Sequence, residues 1–265
     1  MPYSLHQGVK TYYETAGEGP AMLLVHANTT DHHLFLYQIA HFSTWFRVIA
    51  PDLRGWGRTR ATDAAYGIKD LCGDMIKVCE TEGVTQAIVM GVSVGSKISL
   101  HLGLDRPDLV RAVIAVGGSA SPAARTSESA VRYRAQGIEK AHPPHLDSTV
   151  TDGFRKSAIG TYLLSGVIER SKVGKWTTDG AARTMEAAGD GDIRPQLKSM
   201  KPPVLVINGE FDNSRPRGEE TAKLVPGARH VLLKGLGHCC NIEDPAVFDA
   251  AVIAFLTDKG LMPKL

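Results

Sequence analysis

The chain has 265 residues, 43% hydrophobic and 22% charged, with a formal net charge of +2. That is ordinary globular usage with enough apolar surface for one large core, which excludes a disordered or fibrous chain. The near-neutral balance, with basic residues only diffusely clustered in the middle third, argues against a nucleic-acid footprint or a polybasic membrane patch, and no apolar run is long enough to span a bilayer.

The first residues, Met1 to His6, carry neither a basic n-region nor an apolar h-region, so the expectation is a cytoplasmic protein without a signal peptide. Ser4 to Glu14, around Gly8, reads as an edge β-hairpin or two short strands. Gly17 to Pro20 is a turn, and Ala21 to Val25 is a short continuous apolar run, the pattern of a strand buried on both faces. It opens into the polar loop His26-Ala27-Asn28-Thr29-Thr30. Asp31 to Phe42 reads as a helix, and Phe46 to Pro51 as a second buried strand. A glycine-bent loop follows from Asp52 to Thr59, and then a helix from Ile68 to Glu82 with Leu71, Met75, Val78 and Cys79 at helical spacing.

Gln86 to Met90 is a further buried strand, and Lys97 to Leu104 a helix. Between them stands Gly91-Val92-Ser93-Val94-Gly95, the G-x-S-x-G pattern of a nucleophile elbow. A sharp strand-to-helix turn lifts a serine hydroxyl off the sheet edge, and the flanking glycines are needed where strand and helix crowd. The helix start behind the serine offers a free N–H and a positive dipole end. Val110 to Val116 is the next strand, closed by Gly117-Gly118.

From about Ser121 to Gln196 the strand rhythm stops. Helical fragments over Ser127 to Lys140, Asp152 to Arg170 and Ala181 to Ala188 are joined by His142-Pro143-Pro144 and Lys172 to Trp176. The rhythm returns with a strand over Pro203 to Asn208, a helix over Arg217 to Leu224, a strand over Ala228 to Leu233 and a helix over Pro245 to Thr257. Strands alternating with helices imply βαβ units and a parallel sheet. The organisation expected is one α/β core, residues 1–120 and 197–265, interrupted by a helical cap at 121–196. Cys72, Cys79, Cys239 and Cys240 make no zinc or CxxC spacing and read as reduced, buried thiols.

Taken together, these residues resemble the α/β-hydrolase family. The resemblance rests on five motifs in the family's order: the His26 loop, Asp52 to Thr59, the elbow at Ser93, Gly209-Glu210-Phe211-Asp212, and Gly237-His238 followed by Glu243, Pro245 and Phe248. It implies an eight-stranded, mostly parallel sheet with helices on both faces and a cap over the carboxyl ends of the strands.

It also implies a catalytic set in the order Ser93, Asp212, His238. A serine hydroxyl is a weak nucleophile that needs a base within reach and a third group to orient that base. His238 lies where the family keeps its base. Asp212 matches the Gly-x-x-Asp spacing, with Glu210 as the local alternative. After the strand that follows the elbow, no carboxylate appears before Glu128, and Glu243 and Asp244 read as helix N-terminal charges. The oxyanion hole falls to the N–H groups of Val94 and of Asn28 or Ala27, a departure from the family's usual His-Gly. His26, Ala27, His32, His33 and Trp176 are substrate-pocket candidates. Adjacent His32 and His33 should diverge rather than share a metal, and they read as solvated residues at a helix start; no metal or cofactor is expected.

The reading is a cofactor-free serine hydrolase of a small ester or lactone, monomeric or homodimeric. Carbon–carbon bond hydrolases, cofactor-free dioxygenases and slow-turnover small-molecule receptors are the alternatives on the same fold. A serine at position 93 argues against epoxide hydrolases and haloalkane dehalogenases, which carry aspartate there.

Overall fold

The computed structural model describes residues 2–122, 124–174, 176–189 and 191–263, with the side chains of residues 124–126 also left aside. Lys175, part of the expected connector before Trp176, lies outside the described residues.

Continuous apolar runs build the sheet. Tyr3–His6 (β1) and Val9–Ala16 (β2) form the edge hairpin, and its turn residues Gln7 and Gly8 both have positive φ, as a two-residue hairpin loop requires. Ala21–Val25 (β3) is buried throughout. The segment expected as one helix begins instead as a 3₁₀ turn, His32–Phe35, capped by Asp31, and continues as Leu36–Phe42 (α1). Arg47–Pro51 (β4), Ile68–Thr81 (α2), Ala87–Val92 (β5), Val94–Asp105 (α3) and Val110–Val116 (β6) follow.

Next comes an all-helical stretch: Ala124–Gln136 (α4), Ile138–Asp147 (α5), Asp152–Lys156 (α6), Ala158–Val173 (α7), Thr178–Gly189 (α8) and a 3₁₀ turn, Arg194–Ser199. The chain returns to the sheet with Val204–Gly209 (β7), Arg215–Leu224 (α9) and Arg229–Leu233 (β8), and closes with Cys240–Glu243 (α10) and Pro245–Asp258 (α11).

The eight strands form one sheet in the order β1-β2-β4-β3-β5-β6-β7-β8. β1 pairs with β2 and β2 with β4 antiparallel, and the other pairings are parallel. Strand periodicity splits the core in two. Leu23, Val89, Val113 and Val206 pack with α2, α3 and the helical stretch, whereas Met22, Met90, Ile114 and Leu205 pack with α1 and α11. Two buried faces are why these strands read as unbroken apolar runs. The four cysteines are free and buried. No helix among the described residues is long and apolar enough to cross a membrane.

The segment with His142-Pro143-Pro144, expected as a connector, lies inside α5. Its prolines remove two helix donors, but the carbonyls left over belong to exposed Glu139 and Lys140 and so face solvent.

Candidate active site

Ser93 occupies the junction of β5 and α3. Its backbone sits at φ 58° and ψ −113°, a strained conformation for a residue with a Cβ, and its N–H donates to Val116 O at 2.8 Å. The flanking glycines are obligatory. A Cβ on Gly91 would lie 2.0 Å from Gly95 O, and one on Gly95 would lie 1.9 Å from Val25 O. Val94 opens α3, so its N–H belongs to the unpaired donors of a helix start.

Asp212 ends the turn after β7, a turn held by Glu210 N–H to Leu233 O and Phe211 N–H to Leu236 O. Its Oδ1 accepts from His238 Nδ1 at 2.9 Å and from Ser214 N–H at 2.8 Å. Its Oδ2 accepts from Asn208 Nδ2 at 2.9 Å and Ser214 Oγ at 2.8 Å. Burial pushes this carboxyl up, but the His238 charge and these donors together outweigh burial and hold it well below the usual carboxylate range. Glu210, the local alternative, is exposed and accepts instead from Gly235 N–H.

His238 is held on two sides. Gly117, at φ +58°, passes so close that a Cβ there would sit 2.9 Å from the imidazole's Cε1 and Nδ1. Glu243 accepts from Gly237 N–H at 2.8 Å and from the backbone and hydroxyl of Thr151. Glu243, expected as a helix N-terminal charge, lies in the single turn of α10 and also ties the His238 loop to the start of α6. Asp244 does act as a helix cap, accepting from Val247 N–H at 3.1 Å.

Ser93, His238 and Asp212 line one cavity of about 130 Å³, with Asn28, Val94 and Gly117 beside them and Ser129, Ser148 and Thr149 from the helical stretch. Asn28 Oδ1 is buried there without a hydrogen-bond partner. The neighbouring Thr29 has φ 74°, unusual for a β-branched residue, and its carbonyl accepts from His142 Nε2 of α5 at 2.8 Å. That bond fixes the loop carrying Asn28 to the helical stretch. A second cavity of about 170 Å³ is mostly apolar and includes Leu36, Tyr37, Tyr162, Leu163 and Cys239; Thr149 lines both.

Of the pocket candidates, only His33 lines a cavity, and it is the second one. His26 is fully buried; its Nδ1–H donates to Ala27 O and its Nε2 accepts from Leu53 N–H. Both ring nitrogens are engaged, burial keeps the ring neutral by lowering its pKa, and it braces two loops rather than meeting substrate. Ala27 is buried, with its carbonyl occupied by His26 and Thr30, and lines neither cavity. His32 is not solvated: its N–H and Nδ1 donate to Asp52, itself buried.

Trp176 is also buried, edge-on to Trp56 at 5.0 Å and to His142 at 5.2 Å, and packs the helical stretch onto the core. His32 and His33 do not diverge. Their rings lie 4.1 Å apart, and with Asp31 they bring possible ligand atoms within 4.8 Å of one another. Yet both Nδ1 atoms are engaged by Asp52 and Asp31, and Arg170 pairs with Asp31 at 2.8 Å. Sequence reasoning missed Thr149, Phe211 and Arg217 in the first cavity. Arg217 left a signal: an arginine in a helix's first turn, where acids are favoured.

A family model described as alpha/beta hydrolase fold matches residues 20–245. A 3-oxoadipate enol-lactonase 2 of Acinetobacter baylyi is 28% identical over 258 residues, 94% of each chain. A magnesium-chelatase 30 kDa subunit of Rhodobacter capsulatus is 30% identical over 235 residues, covering 83% of this chain and 81% of that protein. The crystal structure of an enol-lactonase from Burkholderia xenovorans LB400 superposes with a TM-score of 0.89 at 28% identity, over 97% of this chain and 100% of that one. With the eight-stranded sheet and the elbow at Ser93, these matches establish that the chain belongs to the α/β-hydrolase family.

Proposed function

We propose that the protein is a cofactor-free serine hydrolase of small carboxylic esters or lactones, with residues 121–196 as the cap over its site. Ser93 Oγ attacks the carbonyl carbon while His238 Nε2 takes the hydroxyl proton. Asp212 holds the Nδ1–H tautomer and stabilises the imidazolium. The N–H groups of Val94 and Asn28 receive the oxyanion. His238 then protonates the leaving oxygen, and a water activated by the same imidazole releases the acid.

The observation that carries this reading is the bonded His238–Asp212 pair lining one cavity with a serine held at positive φ. A cavity of about 130 Å³ suits a small substrate, being close to the ~150 Å³ that takes a benzene-sized guest. Relatives named as an enol-lactonase and as a 2-(acetamidomethylene)succinate hydrolase support hydrolysis of small molecules. The free, buried cysteines are in keeping with a cytoplasmic setting.

The test is turnover of a panel of short esters and lactones by the parent and by Ser93→Ala, in air and without oxygen. The reading expects turnover by the parent that is lost in Ser93→Ala and indifferent to oxygen. Oxygen-dependent turnover, or ester turnover that survives Ser93→Ala, contradicts it.

A further inference from the structure

We propose that Arg217 is a carboxylate anchor in the Ser93 cavity, so that the substrate is an ester or lactone bearing a free carboxylate beside its scissile bond. The proposal rests on the serine-hydrolase reading for the reaction but on separate observations for the anchor.

Arg217 lines the same cavity as Ser93 and His238. Its Nε is buried with no hydrogen-bond partner. The acids around it are already engaged: Glu219 pairs with Arg215 at 3.3 Å and Glu220 with Arg194 at 3.1 Å. Among the described residues, Asp212 is the one carboxylate lining the cavity, and its oxygens are taken by His238, Asn208 and Ser214. Lys97, the other cation there, donates to Ala188 O and Gly191 O and ties α3 to the end of α8.

Position makes the arrangement costly. Arg217 stands in the first turn of α9, which contains no acid, so its charge faces the positive end of the helix dipole. A cation in an unfavourable field, with a buried donor left unpaired, calls for a partner that the protein itself does not supply. A carboxylate fits. It offsets the dipole and matches the planar fork of the guanidinium with two parallel hydrogen bonds.

The experiment pairs a neutral ester, para-nitrophenyl acetate, with two carboxylated ones. Para-nitrophenyl hydrogen succinate carries its carboxylate on the acyl side, and para-acetoxybenzoate carries it on the leaving group. In Arg217→Gln, kcat/KM for at least one carboxylated ester should fall about 10- to 100-fold, while acetate changes by less than about threefold. Arg217→Lys should recover part of the loss, because it keeps the charge without the fork. Equal losses on all three esters, or no selective loss on a carboxylated one, overturns the anchor. Should the parent cleave none of these esters, calorimetry with glutarate still decides it. Binding to the parent that Arg217→Gln abolishes keeps the anchor while the hydrolase reading fails; equal binding to both, or none to the parent, overturns the anchor.

Discussion

Replacing Asp212 by asparagine keeps the shape of the site and removes one charge. Each carboxylate oxygen now accepts from two donors: Oδ1 from His238 Nδ1 and Ser214 N–H, Oδ2 from Asn208 Nδ2 and Ser214 Oγ. An amide can oppose only one of these pairs. Its NH2 cannot face the obligate backbone donor of Ser214, so it takes the Oδ2 side, where the Ser214 hydroxyl can turn to accept. Asn208 cannot flip to help without cost, because its Oδ1 already accepts from His230 Nε2 at 3.1 Å. His238 therefore stays hydrogen-bonded but loses the charge that stabilises its protonated form. At an effective dielectric of ~20, a unit pair ~4 Å apart is worth about 4 kcal/mol, or roughly three decades in rate. The expected result is a fall in kcat of about a thousandfold on para-nitrophenyl acetate, with a circular-dichroism spectrum unchanged from the parent. A loss smaller than about tenfold would refute the assignment of Asp212 as the orienting acid.

Three further expectations follow from the same geometry. Gly117→Ala places a methyl against the His238 ring at φ +58°; kcat should fall more than about tenfold while Tm drops only about 2–6 °C, and unchanged kcat would deny that Gly117 positions the ring. His26→Ala strands Leu53 N–H in the core and should cost about 2–3 kcal/mol, read from the urea midpoint; a cost near zero would contradict its bracing role.

The third concerns pH. Burial, helped by the charges of Lys69 and Lys97, pulls His101 down to about 4. As pH falls from ~6.5 to ~4 the unfolded chain therefore takes up this proton first, and stability should decline. Asp212 and Asp31, both depressed despite burial, keep their full contribution above ~4 and lose it as pH falls further. In thermal melts across this range the Tm of the parent should fall more steeply than that of His101→Gln as pH drops towards ~4, and parallel curves would contradict the assignment.

Much of the fold was legible because its signals are local. Buried parallel strands read as apolar runs, and the G-x-S-x-G spacing is itself a local pattern, although the clash that demands Gly95 comes from Val25 on the neighbouring strand. The order Ser93, Asp212 and His238 came from the family resemblance, and each of the three follows the carboxyl end of a strand. What failed was direction. His26 and Ala27 sit two residues and one residue before Asn28, yet only Asn28 reaches the cavity, and nothing in the sequence tells which side of a turn faces inward. His32 turned to Asp52 and His33 to Asp31 because carboxylates from distant or neighbouring positions were in reach. Trp176 reads equally as pocket or packing until its partners Trp56 and His142 are placed. α5 was hidden by Pro143 and Pro144, whose usual meaning as breakers is overridden where the orphaned carbonyls face water.

The most direct test of the central claim is intact mass after treatment with a fluorophosphonate serine probe, on the folded parent and on Ser93→Ala. The account predicts a single adduct on the parent and none on the variant, since only an activated Ser93 has a base, an orienting acid and an oxyanion site around it. An unlabelled parent, or equal labelling of both proteins, would contradict it.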